Sequence, residues 1–166
     1  MEEKNKKSWK ISIFDCLLII STIAFIIAFT VFFSLIRVDG ISMENTYHNN
    51  DILIGTRNPE TIDYKDIIVF KINNKTLIKR VIAKAGDTID IDFETGKVMI
   101  NGEVIKEDYI KEPTHLKESL DFPLTVPNGC YFVMGDNRNH SLDSRDEKVG
   151  FIEKEKIICK IIKKII

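Results

Sequence analysis

Between residues 16 and 36 the chain carries no charged side chain, and no other feature restricts its possible folds so strongly. As a helix, these twenty-one residues extend about 31 Å, enough to cross the hydrocarbon of a bilayer. Ile11 to Phe14 prolong the run past Asp15, so the segment is expected to span residues 11–36. A cleaved leader has an apolar region of about 7–15 residues and leaves through a small-x-small site. This run leaves through Phe32-Phe33-Ser34-Leu35-Ile36, which is bulky. The expectation is an uncleaved single-pass anchor. Lys4, Lys6, Lys7 and Lys10 outnumber Glu2 and Glu3, which predicts a cytoplasmic N-terminus over residues 1–10 and an extracytoplasmic domain over 37–166.

A chain of 166 residues supports one compact domain besides such an anchor. Its net charge of -1 leaves no basic footprint, so nucleic acid is not expected as a partner. Past the anchor the sequence reads as short strands and turns. Residues 51–55, 66–72, 76–82, 88–93, 97–100, 103–105 and 130–134 are β-rich or alternating, and Asn101-Gly102 is a strong hairpin signal. Asn73-Asn74-Lys75 marks a second hairpin, and residues 107–122 read as a charged surface excursion. The tail admits an interfacial helix or a closing strand. The predicted class is mainly β, an antiparallel sheet domain behind one transmembrane helix. Cys130 and Cys159 are an even pair that an exposed domain could bridge, but sequence separation supplies no disulfide geometry, and two unpaired core thiols are the default expectation. His48, His115 and His140 lack metal-ligand spacing, so neither a metal nor a cofactor is expected.

Three stretches carry polar groups suited to catalysis. Val38-Asp39-Gly40-Ile41-Ser42-Met43-Glu44-Asn45-Thr46 places a serine just past the anchor. Glycine followed by serine is ordinarily only a turn, and a serine hydroxyl needs an adjacent base to act as a nucleophile. Leu77-Ile78-Lys79-Arg80-Val81-Ile82 offers a lysine among apolar neighbours. A lysine serves as base only when neutral, which requires removal from water, and most strand lysines simply protect a sheet edge. Alternation along a strand lets Lys79 enter a dry site while Arg80 points away. Such burial is expected to cost stability on acidification. The third stretch, Gly135-Asp136-Asn137-Arg138-Asn139-His140-Ser141-Leu142-Asp143-Ser144-Arg145, is turn-like in parts but too dense in polar groups for a plain loop.

Together these strings resemble the sequence boxes of type I signal peptidases, membrane-anchored serine/lysine endopeptidases. The resemblance implies Ser42 as the acyl-accepting nucleophile and Lys79 as its base, a Ser-Lys variant of the serine triad. It implies that Ser141 holds the lysine amine, that Asp143 and Arg145 form an ion pair behind the site, and that Asp136 is a further support. The oxyanion donor would be the Ser42 N–H. Gly40 stands where some relatives carry a second, hydroxyl donor. Substrate is implied as a strand between residues 38–41 and 76–78, with Val38, Gly40, Ile41, Met43 and Ile78 at the contact. The family also favours a closing strand at 155–162, with the last four residues left to touch the membrane surface. Two departures stand out: Asn45 replaces a proline, and Lys84-Ala85-Gly86-Asp87 replaces Leu-Pro-Gly-Asp.

The implied partners are secretory precursor proteins and membrane lipid, acting on a monomer. A self-cleaving repressor-type protease shares the dyad, but an anchor occupies the place of its DNA-binding arm. An inactive assembly factor for pili or surface proteins would not need Ser42, Lys79, Ser141, Asp143 and Arg145 together.

Overall fold

The computed structural model describes residues 12–72 and 74–166, in two units that meet in sequence at Phe32 and Phe33. The first ten residues, Ile11 and Asn73, on which the expected orientation and one hairpin partly rested, lie outside the described residues.

The first unit contains one helix, α1, Ile13–Phe32. Ser12 and Asp15 cap it reciprocally: the Ser12 N–H donates to the Asp15 carboxylate at 2.9 Å, and the Asp15 N–H donates to Ser12 Oγ at 3.2 Å. Its hydroxyls are satisfied within the helix. Ser21 and Thr22 donate to the Leu18 carbonyl, and Thr30 donates to that of Ile27. None of its side chains is buried. A helix apolar all round, with its polar groups internally bonded, suits lipid as its solvent.

The helix is shorter than the apolar run. Residues 33–36, expected inside the anchor, belong to strand β1, Phe33–Arg37, which pairs antiparallel with β2, Ile52–Arg57. Hydropathy reports the preferred solvent, not the backbone period, so it could not separate the end of the helix from an apolar strand joined to it. Twenty residues still reach about 30 Å.

The second unit is built on two antiparallel sheets. The larger adds β3, Ile67–Ile72, β4, Lys75–Lys84, β9, Cys130–Met134, β10, Ile152–Glu153, and β11, Ile157–Lys164, to the first two strands. Its order is β1-β2-β11-β3-β4-β9-β10. The smaller joins β5, Thr88–Asp92, β6, Lys97–Ile100, β7, Glu103–Val104, and β8, Leu124–Thr125, in the order β7-β6-β5-β8. Asn101 and Gly102 turn β6 into β7 with φ of 52° and 83°, the two left-handed residues that an Asn-Gly hairpin supplies. Residues 107–122 form no strand or helix.

Strand β4 is central. From Lys79 to Ala83 every side chain is buried, because both faces are covered. Val81 joins Ile68, Phe70, Val133 and Ile152 in one core; Ile82 and Ala83 join Ile89, Val98 and Phe132 in another. Phe93, Phe122, Phe132 and Phe151 meet edge to face in series, with centroids 5.9, 5.9 and 6.1 Å apart.

The tail is a strand, as favoured, but it is not free at its end. Lys163 and Lys164 pair with Ile54 and Leu53, the Ile165 N–H donates to the Ile52 carbonyl, and the Ile52 N–H donates to that of Ile166. An edge left open at Ile52 would expose unpaired backbone groups, and the last residues close it. Cys130 and Cys159 are free thiols. A Cβ on Gly55 would lie 2.8 Å from Cys159 Sγ and 2.9 Å from the Lys160 carbonyl oxygen. Gly55→Ala should therefore cost about 1–3 kcal/mol in urea unfolding of the solubilised protein. Adding Cys159→Ala should recover only part of the loss, because the backbone contact remains.

Candidate active site

The segment between β1 and β2 carries the serine. It begins as a continuation of the hairpin: the Val38 N–H donates to the Asp51 carbonyl, and the Asn50 N–H donates to that of Val38. Gly40, at φ +99°, then turns the chain out of the ladder. Its N–H is held by the Asn49 side chain at 2.9 Å. Glu44 closes a turn on the Ile41 carbonyl, and Met43, 1% exposed, pins the loop into the protein. Ser42 stands at the crest of this turn.

Lys79 arrives from β4, opposite Ile68 of β3. Its Nζ lies 2.6 Å from Ser42 Oγ, hydrogen bonded to it. The side chain is 2% exposed, and burial lowers its pKa to about 8 from an ordinary 10.5. The Asp143 and Asp136 carboxylates oppose that shift, and the Arg145 guanidinium adds to it. The amine is thus close to its switching point near neutral pH.

Arg80 leaves the strand on the other side, as alternation requires, but it does not reach solvent. It is 8% exposed and grips Asp136 with Nε–Oδ1 2.8 Å and Nη2–Oδ2 2.6 Å. Thr46 Oγ1 donates to the same carboxylate at 2.5 Å, and the guanidinium lies 4.1 Å from the Tyr109 ring centroid. Asp136 therefore ties together the serine loop, the lysine strand and the third box. No sequence signal distinguished this buried Arg80 from a surface arginine.

The expected Asp143–Arg145 pair forms and is fully buried. Nε donates to Oδ1 at 2.8 Å and Nη2 to Oδ2 at 2.9 Å, while the Gly135 N–H donates to Oδ2 at 2.9 Å. Burial by itself would raise the Asp143 pKa. Arg145 and the Gly135 N–H outweigh it, and the carboxyl is held below its usual value. Arg145 also donates to the Arg138 carbonyl at 2.5 Å, and Arg138 is in turn paired with Glu107.

Ser141 differs from the expectation. It is buried beside Gly135, but Lys79 Nζ bonds to Ser42, and Ser141 Oγ makes no hydrogen bond of ordinary geometry. Asp143 is near enough for the hydroxyl to help hold its carboxyl down. Gly135 is required for this closeness: a Cβ there would stand 2.2 Å from Ser141 Oγ and 2.5 Å from the Ser42 carbonyl oxygen.

A cleft of about 280 Å³ opens onto the pair, walled by Ile36, Val38, Met43, Leu77 and Ile78. Val38, Met43 and Ile78 thus stand where substrate contact was expected. Gly40 and Ile41 belong to the same loop but not to this wall. A larger hollow of about 500 Å³ between Tyr64, Ile82, Ile100 and Tyr109 contains no nucleophile–base pair. Among the described residues no group of three His, Cys, Asp or Glu could hold a metal ion. Sequence reading missed Asn137 as a contact of the serine loop, because Gly-Asp-Asn-Arg is ordinary turn chemistry.

A serine in hydrogen-bond contact with a buried lysine of lowered pKa, beside a cleft, is the arrangement that a serine hydrolase of the Ser/Lys type requires. The chain belongs to the signal peptidase family, peptidase S26, whose model matches residues 10–165. It is 35% identical to signal peptidase I P of Bacillus subtilis subsp. natto, covering 95% of this chain and 89% of that one. It is 32% identical to signal peptidase I of Bacillus licheniformis, covering 95% and 90%. Among solved structures, a signal peptidase I from Enterococcus faecalis V583 superposes with a TM-score of 0.51 at 30% identity, over 63% of this chain and 98% of that one.

The charges around Lys79 predict opposite pH shifts. Asp143→Asn removes a carboxylate that favours the ammonium, so the activity midpoint should move to lower pH. Arg145→Gln removes the offsetting cation, so the midpoint should move higher. Each breaks a buried pair and should cost about 3–5 kcal/mol of stability. The check is cleavage rate against pH for both variants at a temperature where they remain folded.

Proposed function

We propose that this protein is a membrane-anchored serine endopeptidase that removes N-terminal signal peptides from secreted precursors, with Ser42 as nucleophile and Lys79 as general base. The observation that carries the reading is the 2.6 Å contact between Ser42 Oγ and a Lys79 whose burial lowers its pKa to about 8. At pH 7 about a tenth of such an amine is neutral, against about one part in 3,000 at pKa 10.5, a gain of about 300-fold in reactive base.

Neutral Lys79 accepts the hydroxyl proton as Ser42 Oγ attacks the scissile carbonyl. The Ser42 N–H faces the oxyanion of the tetrahedral intermediate. The lysine ammonium then passes its proton to the departing amine, which leaves as the new N-terminus of the mature protein. A water, deprotonated by the same lysine, hydrolyses the ester on Ser42 and releases the signal peptide as a carboxylate. Asp143, Arg145 and Asp136 stay out of the bond-making and hold the lysine and the serine loop in place; Ser141 supports them.

The substrate is read as an extended strand laid between residues 38–41 and 76–78, with small side chains next to the cut entering the cleft beside Met43 and Ile78. The lysines of residues 1–10 favour the cytoplasmic side, which places the sheet domain outside. No spacer separates α1 from β1 in the chain, so a domain tethered this closely meets substrate at the bilayer surface at raised effective concentration. A monomer suffices for this chemistry, and lipid is the partner of α1.

Lys79→Arg keeps the positive charge but cannot deprotonate. It should reach the membrane folded and cleave a secretory precursor no faster than Ser42→Ala. The wild-type rate should climb with pH through a midpoint at about 8 and level off about one to two pH units above it. Substantial cleavage by Lys79→Arg would exclude the dyad.

The same pKa has a stability consequence. Above pH 10.5 the lysine is neutral whether folded or unfolded, and below about 8 it is charged in both. Between these values the unfolded chain binds the extra proton, so stability falls as pH drops through the window and then stays level. The loss therefore lies above pH 8 rather than in the acid range. Lys79→Met, free of the penalty, should exceed the wild type by up to about 3 kcal/mol at pH 7. Urea melts should show that gap closing between pH 8 and 10.5.

A further inference from the structure

The oxyanion donor assigned above is a backbone N–H, and its direction depends on the peptide plane it belongs to. In a trans peptide the N–H of one residue and the carbonyl of the residue before it lie in one plane and point in opposite directions. The Ile41–Ser42 peptide is trans. Whatever holds the Ile41 carbonyl therefore aims the Ser42 N–H.

Two donors hold it. The Glu44 N–H, from within the same turn, donates to the Ile41 carbonyl at 3.1 Å. Asn137 Nδ2, from the third box, donates to the same oxygen at 3.1 Å. Asn137 also takes the next carbonyl, its own N–H donating to that of Ser42 at 3.0 Å. One residue thus grips two consecutive peptide planes on either side of the nucleophile. The Ser42 N–H meets no acceptor among the described residues, which leaves it free for a ligand. Asn137 is 1% exposed, and its Oδ1 has no hydrogen-bond partner. A buried unsatisfied acceptor is costly, so the contribution of this side chain lies at its donor end.

We infer that Asn137 is the positioning residue of the oxyanion hole: by clamping the Ile41 carbonyl it aims the Ser42 N–H at the charge that develops on the scissile carbonyl. The clamp also polarises the peptide, since a carbonyl accepting two hydrogen bonds makes its N–H a stronger donor. Glu44 belongs to the turn and moves with it. Asn137 stands on the segment bonded to Asp136 and Gly135, so only it references the donor to the rest of the domain. The inference rests on the reading of Ser42 as nucleophile.

The test uses the solubilised full chain as wild type, Ser42→Ala, Asn137→Ala and Asn137→Asp. Asn137→Ala removes the donor and keeps the backbone bond to Ser42. Asn137→Asp sets a carboxylate oxygen against the Ile41 carbonyl. Each protein is given a precursor, a peptide boronic acid that becomes tetrahedral on a serine oxygen, and the matching peptide carboxamide, which stays trigonal. The expected result is a kcat about tenfold or more lower in Asn137→Ala, and lower still in Asn137→Asp. Boronate affinity should fall in parallel, while carboxamide affinity, KM and the pH midpoint stay as in the wild type. Equal boronate binding in wild type and both Asn137 variants would overturn the inference and leave the Ser42 reading intact. Parallel loss of boronate and carboxamide, a moved pH midpoint, or failure of both variants to fold would reduce Asn137 to a structural contact and also overturn it. A wild type that ignores the boronate, or a Ser42→Ala that binds it equally, would sink both readings.

Discussion

The dryness around Lys79 is the condition on which the rest of the site depends. An ammonium prefers water, and the loss of water is what brings this amine's pKa down to about 8. The same environment contains two carboxylates, Asp136 and Asp143, both fully buried and both favouring the charged lysine. Left unpaired, they would undo what burial achieves. Each is instead chelated by an arginine, Asp136 by Arg80 and Asp143 by Arg145. Of the two, Arg145 lies near enough for its positive charge to lower the lysine pKa and offset part of the carboxylates' effect. A lysine of lowered pKa can therefore sit inside a densely ionic neighbourhood.

Buried ion pairs are weak devices for stability, because desolvation offsets most of their Coulomb attraction. Here their geometry supplies position. Asp136 accepts hydrogen bonds from Arg80, the residue after Lys79, and from Thr46 in the loop that carries Ser42. Ser42 and Lys79 lie thirty-seven residues apart in sequence, yet both are referenced to this one carboxylate. Gly135, next to it, has no side chain, and that absence lets the Ser42 carbonyl and Ser141 close upon the third box. The loop, the strand and the box are therefore joined by hydrogen bonds and close packing, and the cleft is lined by the first two.

Much of this was legible in the chain itself. An unbroken charge-free run announces a membrane segment because lipid tolerates no unpaired charge. Alternation and Asn-Gly turns announce antiparallel strands because side chains alternate and a tight hairpin needs left-handed residues. Ser42, Lys79 and the Asp143–Arg145 pair stood out because the three strings that carry them resemble the boxes of type I signal peptidases. Other features left no local trace. The end of α1 at Phe32 depends on β2 being available to pair with residues 33–37. The closing of the tail on Ile52 is likewise a matter of which edge was open.

What the sequence by itself determined was the anchor and the β class, since both follow from local composition and period, while the candidate reacting groups came from the resemblance of three strings to a known family. The tertiary structure alone decided the state and aim of those groups. The pKa of Lys79 depends on which atoms exclude water from it, and those come from segments far apart in the chain. Arg80 is a buried clamp rather than a surface charge because Asp136 and Tyr109 meet it across the fold. Ser141 lies close enough to Asp143 to help lower its pKa, while the Lys79 Nζ is hydrogen bonded to Ser42. Solvent exclusion and hydrogen-bond direction are properties of a packed three-dimensional neighbourhood, and a linear order of residues does not contain them.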